Sequence, residues 1–218
     1  MTTDEQIKQK IEDELFWDSR IDDSKINVEV EDGIVKLRGE VSSCSQMFSA
    51  ENSVWNIPGV IGVNNELNVV LTETPIDDQI LNAVKNILTW SPYIDSSKIK
   101  ISVDGGLVTL EGSVDTYWKK MRAENIVFDI KGVNQVSNKL SIVPTKDFVD
   151  EQIAKSIVSA IDRNLNIDAE IVDIKVENGI VTLSGNVPTY AAYKAAYNAA
   201  AYTSGVIDII DNLTIGII

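Results

Sequence analysis

The sequence of 218 residues contains no histidine and only one cysteine, Cys44. The absence of histidine excludes His general bases, Ser-His-Asp and Cys-His nucleophile systems, and every metal site that uses a His ligand. A lone cysteine excludes an intrachain disulfide and a Cys-cluster zinc site. Composition alone therefore rules out the enzyme and metal-site classes that depend on these residues.

The sequence also lacks the segments that would direct or anchor it at a membrane. No apolar run approaches the ~18 residues that a spanning helix requires. The first ten residues show neither the apolar core nor the cleavage site of a signal peptide. We therefore expect a cytoplasmic location for the chain as it stands, or a periplasmic one if a signal peptide has been removed.

No glycine-rich phosphate loop and no acidic loop of the EF-hand type is found. Cys44 lies at the predicted start of a helix, where a thiolate would be favoured. The same position holds Tyr117 and Tyr190 in the repeats described below, which favours a packing role. The sequence therefore predicts no catalytic residue, no metal and no cofactor, and indicates that the protein is not an enzyme.

Acidic residues outnumber basic ones by 33 to 19, which gives a formal net charge of −14. This balance argues against binding of duplex nucleic acid, because that affinity comes from neutralising phosphates. The charge is unevenly distributed: residues 1–73 have 6 basic and 15 acidic residues, residues 74–146 have 9 and 8, and residues 147–218 have 4 and 10. Only the middle third of the chain is close to neutral.

A repeat of 73 residues organises the whole chain. Gly33, Gly106 and Gly179 recur at this interval, and further glycines, aspartates, glutamines and leucines keep the same step. A copy of about 70 residues can just bury its own core, so the repeat predicts three small domains over residues 1–70, 77–143 and 147–218. The joints at 71–76 and 144–149 each contain one proline and no Gly/Ser tract, and are expected to restrict the domains.

Each copy shows the same succession of helical and strand patterns. Asp4 and its counterparts at 77 and 150 are predicted N-caps, followed by an apolar stripe such as Ile7, Ile11 and Leu15. Two alternating strands flank an Asp-Gly or Asn-Gly turn, then come a second helix and a third strand. The order α-β-β-α-β predicts an α/β two-layer (α+β) fold: two helices on one face of a three-stranded mixed sheet, with strands two and three parallel and the other face polar.

This plan resembles the BON domain family in two motifs. The second copy carries them over residues 104–114, in Asp-Gly-Gly-Leu-Val-Thr-Leu-Glu-Gly-Ser-Val, and over residues 132–140, in Gly-Val-Asn-Gln-Val-Ser-Asn-Lys-Leu. The third copy repeats both over 179–187 and 205–213, with Asp211 replacing the Asn. The resemblance covers nearly the whole chain three times, whereas OsmY-like stress proteins of the family carry two copies.

The resemblance implies a bacterial, non-catalytic binding module. Roles proposed for the family are binding of anionic phospholipid, chaperone-like contacts and, in one subgroup, binding of potassium. We therefore consider three functions: peripheral contact with an anionic membrane, interaction with a protein partner, and sensing of potassium or another small ligand. The sequence leaves homo-oligomerisation open.

Comparison of the three copies separates core positions from candidate surfaces. The candidate membrane or anion contact opens the second helix of the middle copy, where aromatic and basic residues adjoin: Tyr117, Trp118, Lys119, Lys120 and Arg122. Aromatic and cationic side chains together suit the interface of an anionic membrane. The alternative is that this cationic helix face packs on an acidic neighbouring domain.

The candidate partner surface consists of aromatic residues at positions where a sister copy accepts a small or polar residue: Trp17, Trp90, Tyr193 and Tyr197. Tyr190, Tyr193 and Tyr197 are predicted to share one helical face among alanines. Tyrosine is enriched in interface cores. The sequence leaves open whether this interface lies within the chain or between chains.

Overall fold

A computed structural model of the chain describes residues 3–70 and 76–216. Most of the predicted first joint, residues 71–75, lies outside the described residues. The chain divides into two compact units, which are described separately. The first comprises Met1–Val84, Ser102–Val108 and Val127–Ser137, and the second comprises Lys85–Ile101, Thr109–Ile126 and Asn138–Ile218. The middle copy contributes segments to both units.

The predicted order α-β-β-α-β occurs three times. The first copy consists of α1 (Asp4–Trp17), β1 (Ile26–Glu31), β2 (Ile34–Val41), α2 (Cys44–Trp55) and β3 (Gly62–Val69). The second consists of α3 (Asp77–Trp90), β4 (Ile99–Asp104), β5 (Leu107–Val114), α4 (Tyr117–Phe128) and β6 (Gln135–Ile142). The third consists of α5 (Asp150–Asp162), β7 (Asp173–Glu177), β8 (Ile180–Val187), α6 (Tyr190–Ala201) and β9 (Asp208–Ile215). A single 3₁₀ turn precedes the first strand of each copy.

Three three-stranded sheets result, in the orders β1-β2-β3, β4-β5-β6 and β7-β8-β9. In the first and third sheets the hairpin strands pair antiparallel and the last strand pairs parallel to the central one. The predicted mixed sheet, with strands two and three parallel, is thereby confirmed for these copies. The helix between the parallel strands provides the long connection that parallel pairing needs.

The first domain shows how the alternating sequence builds the two layers. Val35 and Leu37 of β2 are fully buried, as predicted, beneath the apolar stripe of α1, whose central residue Ile11 is also fully buried. The intervening residues Lys36 and Arg38 point to the opposite face of the sheet, where both pair with the carboxylate of Glu66. The second face of this sheet is therefore polar and open, as the period of two predicts.

The prediction that Asp4 and its counterparts cap the first helices is wrong. Thr3 is the N-cap of α1, and Val149 precedes α5 without a side-chain cap bond. The carboxylate of Asp4 instead accepts hydrogen bonds from the backbone N–H groups of Asp32 and Gly33, at 2.9 and 3.1 Å. Both turn residues have positive φ, so that adjacent N–H groups converge on one anion.

The same carboxylate bridge recurs in the other two copies. Asp77 accepts from the N–H groups of Gly105 and Gly106, and Asp150 accepts from those of Asn178 and Gly179. An aspartate in the first turn of the helix therefore fixes the β-hairpin to the helix. This tertiary role explains why the residue keeps the 73-residue step.

Candidate functional site

The predicted basic segment lies beside an aromatic loop in the second unit. The ring of Trp118, on α4, meets the ring of Tyr93 edge to face, with centroids 5.1 Å apart and planes at 81°. Tyr93 follows the end of α3, where Trp90 is 82% exposed. Arg122 lies one helical turn beyond Trp118, is exposed, and has no ion pair among residues 3–70 and 76–216. The loop after α3 and the basic segment of α4 thus lie side by side.

Two of the five predicted contact residues are engaged inside the molecule. The hydroxyl oxygen of Tyr117 lies 3.0 Å from that of Tyr197, and the Tyr117 ring packs against the hydrophobic core of the third domain. Burial raises the pKa of Tyr117 well above its usual range, and the bond to Tyr197 adds to the effect. Lys119 forms an ion pair with Asp115 at 2.8 Å, with both side chains half-buried.

The other three predicted residues stay on the surface of α4. Trp118 and Lys120 are half-buried and Arg122 is exposed. The backbone carbonyl of Lys120 accepts a hydrogen bond from the amide of Asn138, which ties this part of α4 to β6. The structure therefore places Trp118 and Arg122 one turn apart on the same side of α4 and Lys120 on a different side of the helix. Tyr117 and Lys119 have partners inside the molecule.

The tyrosine face of α6 is present as predicted, but its hydroxyl groups have partners within the second unit. The rings of Tyr190, Tyr193 and Tyr197 stack successively, with centroids 5.7 and 6.3 Å apart. The hydroxyl of Tyr193 donates to the carboxylate of Asp211 on β9, and Tyr197 meets Tyr117. Tyr193 and Tyr197 are half-buried, so this face serves contacts within the chain. Contact with another chain stays a prediction.

The two predicted tryptophans are the most exposed aromatic side chains among the described residues. Trp17 is 79% exposed at the last position of α1, and its neighbour Phe16 is 65% exposed. Their rings meet edge to face at 5.2 Å. Trp90 occupies the equivalent position at the end of α3. None of these rings contributes to a domain core, so each is an apolar group available to a partner.

Cys44 lies at the contact between the first domain and the segment of the middle copy that belongs to the same unit. Its thiol is fully buried, 3.3 Å from the carbonyl oxygen of Val133 and 3.1 Å from that of Asn134. Burial raises the pKa of the thiol, so the thiolate is disfavoured there. The structure therefore gives Cys44 a packing role, as comparison of the copies favours. It does not support a reactive thiolate at the start of the helix.

Cys44 and Tyr117 occupy equivalent positions of the repeat. The sequence alone does not show that both side chains pack against the copy that follows. Ser45 and Phe48 continue the contact in the first unit. The hydroxyl of Ser45 donates to the carboxylate of Asp129 at 3.1 Å, and the Phe48 ring packs on Phe128 with centroids 4.7 Å apart. The available sequence signal was that positions 44, 45 and 48 differ in size and polarity among the copies, as expected for a contact that is not part of the domain core.

Chemistry that would require a metal or a membrane-spanning helix finds no support in the described ranges. No cluster of three or more His, Cys, Asp or Glu side chains suited to a metal ion occurs within residues 3–70 and 76–216. Across the same ranges, no helix has both the length and the apolar character needed to cross a membrane. The aromatic and cationic groups on α4 and in the loop after α3 are suited to non-covalent binding.

Comparison with known proteins agrees with this architecture. The model of the BON domain matches residues 3–70, 76–144 and 149–217. Osmotically-inducible protein Y of Escherichia coli (strain K12) is 28% identical over 143 residues, covering 63% of this chain and 71% of its own length. The outer membrane lipoprotein DolP of Haemophilus influenzae is 32% identical over 143 residues, covering 62% and 72%.

A third relative, the 21 kDa hemolysin of Actinobacillus pleuropneumoniae, is 26% identical over 145 residues, covering 64% of this chain and 74% of its own. Each match spans about two of the 73-residue steps. None of the three names describes a catalysed reaction. The family match extends over nearly the entire chain, and its three segments follow the repeat and the three sheets: this protein belongs to the BON domain family, with three domains in tandem.

Proposed function

We propose that this chain is a non-enzymatic binding protein whose second domain makes peripheral contact with an anionic phospholipid surface. The observation that supports this most directly is the contact between Tyr93 and Trp118. It places the loop that follows α3 beside the segment of α4 that carries Lys120 and Arg122. Aromatic side chains are favoured at the membrane–water interface, and basic ones are attracted to anionic headgroups.

The distribution of charge supports the second domain over its neighbours. Residues 74–146 carry a net charge of +1, whereas residues 1–73 carry −9 and residues 147–218 carry −6. An anionic membrane repels the first and third domains, so contact is least costly through the middle one. Membrane association is also consistent with the names of two relatives, an outer membrane lipoprotein and a hemolysin.

Flotation with lipid vesicles tests this proposal. We expect the protein to float with vesicles of phosphatidylglycerol and phosphatidylcholine, and to float much less with phosphatidylcholine alone. Raising the salt from about 0.05 to 0.5 M should weaken the binding, because screening shortens the range of attraction between charges on the surface. Equal flotation with both vesicle types, or binding that salt does not change, would contradict an electrostatic contact.

Paired charge reversals locate the contact. Changing Lys120→Glu together with Arg122→Glu should abolish flotation, and Trp90→Ser should weaken it. The matched control is Lys155→Glu with Lys175→Glu, which makes the same change in net charge on the third domain, where both lysines already have acidic partners. If both double variants lose binding equally, the effect is one of total charge and the assignment to α4 is wrong.

The aromatic end of α1 favours a second function, interaction with a protein partner. Phe16 and Trp17 expose an apolar pair on the domain that carries the largest negative charge. Such a surface is unsuited to an anionic membrane but suited to a protein with an apolar and basic face. Cross-linking and capture from lysate with the wild type and Trp17→Ser tests this: a partner lost only in the variant supports it, and an unchanged set of partners contradicts it.

A further inference from the structure

An aromatic pocket of about 420 Å³ opens on the second unit. Its walls come from the loop after α3, from α4 and from the residue that follows α6: Tyr93, Trp118, Met121, Arg122, Asn125 and Tyr202. Tyr93 and Tyr202 are 55% and 60% exposed. The volume lies at the small end of the range for ligand sites in proteins.

The fold itself does not require these side chains. In the first domain and its neighbouring segment, the positions of Trp118 and Tyr202 are held by Ser45 and Asp129, which close on each other through a direct hydrogen bond of 3.1 Å. The position of Tyr93 is held by Arg20 in the first copy and by Asn166 in the third. Large aromatic residues occupy all three positions in only one set, Tyr93, Trp118 and Tyr202, and these three residues border a pocket.

The lining offers two kinds of recognition side by side. The perpendicular rings of Tyr93 and Trp118 form a corner, and Tyr202 adds a third ring. The faces of such rings attract a quaternary ammonium group through cation–π interactions. Arg122 and Asn125 lie in the same lining, and neither side chain has a hydrogen-bond or ion-pair partner among the residues described. The planar guanidinium of arginine binds carboxylate or phosphate through two parallel hydrogen bonds.

We propose that this pocket binds a zwitterion in which a quaternary ammonium group lies close to a carboxylate or phosphate. The three rings hold the ammonium, and Arg122 with Asn125 holds the anionic group. A simple cation is disfavoured by the charge of Arg122, and a simple anion by the negative ring faces. This site shares Trp118 and Arg122 with the proposed membrane contact, but it takes a ligand with no net charge.

Titration of the intact protein with soluble phosphocholine and with glycine betaine tests the proposal, by calorimetry and by saturation-transfer NMR on the trimethylammonium protons. We expect binding of at least one of the two, with choline alone and inorganic phosphate alone each at least about tenfold weaker. The carbon isostere 3,3-dimethylbutyl phosphate, which has the same shape without the positive charge, should also lose about tenfold. If the isostere binds as well as phosphocholine, the rings do not recognise a cation and the proposal is wrong.

Substitutions borrowed from the sister copies test the walls with little risk to folding. Trp118→Ser and Tyr202→Asn install the residues that the first copy carries at these positions, Ser45 and Asn56, and each should weaken binding about tenfold. Arg122→Gln, at an exposed position, should abolish the preference for phosphocholine over choline. Trp17→Ser removes a more exposed tryptophan on the first domain and should leave binding unchanged. Unchanged binding in Trp118→Ser, or no binding of either zwitterion to the wild type, overturns the proposal.

Vesicles distinguish a free solute from a lipid headgroup. If the ligand is a headgroup, vesicles of phosphatidylcholine compete with soluble phosphocholine, and Trp118→Ser removes the competition. If it is a free solute, vesicles do not compete. Reversal at Lys120 alone changes anionic binding without altering the pocket, and Tyr202→Asn alters the pocket without changing the cations of α4, so the two proposals can fail separately.

Discussion

The hydroxyl of Tyr193 donates a hydrogen bond to the carboxylate of Asp211, and the pair replaces a different bond found in the other two domains. There the amide of Asn65 donates to Glu51, and that of Asn138 donates to Glu124, each at 3.0 Å. All three bonds fasten the second helix to the last strand. The third domain keeps the link between helix and strand but makes it with a tyrosine and an aspartate. The changes at Tyr193 and Asp211 therefore compensate each other.

A double-mutant cycle should show this coupling. Tyr193→Phe and Asp211→Ala are each expected to lower the free energy of unfolding, because each leaves a polar group without its partner. The double variant should lose less than the sum, with a coupling of about 1–2 kcal/mol, as for hydrogen bonds to a charged group. Urea unfolding measures it, with Tyr202→Phe as a control at an exposed tyrosine. Additive losses would show that the two side chains act independently.

The carboxylate bridge between helix and hairpin should contribute measurably to stability. Asp150→Ala removes the acceptor for the N–H groups of Asn178 and Gly179, and we expect a loss of about 2 kcal/mol. Hydrogen exchange of these two amides should accelerate more than that of amides in the middle of β8. Asp147→Ala, at an exposed position three residues earlier, should change stability by less than about 0.5 kcal/mol. Equal effects of the two substitutions would contradict the bridge.

The case of Asp4 shows where prediction from the sequence succeeds and fails. The apolar stripe, the strand alternation and the Asp-Gly turn depend on neighbours close in sequence, and their positions were predicted within a few residues. Asp4 also fits a local pattern, that of an N-cap, but its partners lie 28 and 29 residues away. Rules based on neighbouring residues favoured the N-cap. Only the packing of the hairpin against the helix reveals that Asp4 binds the hairpin turn instead.

The candidate surface shows the same limit for function. The aromatic and basic residues of α4 stand out in the sequence. Although Tyr117 and Trp118 are adjacent, Tyr117 packs on the third domain and Trp118 lines a pocket. Tyr93 was not predicted, because it lies in a loop whose sequence differs in every copy. Which side chains meet depends on how successive domains pack, and that packing leaves no periodic pattern in the sequence.

Gly39, near the end of β2, tolerates no side chain. Gly39 has φ of +130°, and a Cβ atom there would lie 1.9 Å from the carbonyl oxygen of Lys25. We expect Gly39→Ala to cost at least about 2 kcal/mol, from backbone strain and the steric overlap together. Gly62→Ala is the control, since its added Cβ would meet only side-chain atoms of Ile34, at 3.5 Å and beyond. Thermal unfolding compares the two, and similar melting temperatures would refute the steric argument.

The pair formed by Asp18 and Arg20 should make stability depend on pH in the acid range. Hydrogen bonds from the Arg20 side chain and backbone lower the pKa of Asp18 from 3.8 to about 2. A carboxyl with a lowered pKa in the folded state contributes stability that is fully present above its unfolded pKa and is lost as the pH falls through the folded one. The contribution is small, because the Arg20 side chain is largely exposed and water screens the pair.

Arg20→Gln isolates this contribution. The difference in unfolding free energy between wild type and variant should be constant above about pH 5 and should shrink as the pH falls from about 4 towards 2. Urea titrations at several pH values measure it, and taking the difference cancels the other carboxylates. A difference that stays constant to pH 2, or grows, would show that the guanidinium does not stabilise the ionised form of Asp18.

Cys44 provides a chemical probe of the contact between the first domain and the segment that holds Val133 and Asn134. Its thiol is fully buried and its pKa is raised by desolvation, so we expect reaction with a thiol reagent such as DTNB to be slow until this contact opens. Phe48→Ala removes the ring that packs on Phe128 and should accelerate the reaction severalfold while the far-ultraviolet circular dichroism stays unchanged. Trp17→Ala removes an exposed ring on the same domain and should have no effect. If Phe48→Ala reacts no faster than wild type, access to Cys44 depends on unfolding of the domain itself, and the contact does not open as a separate step.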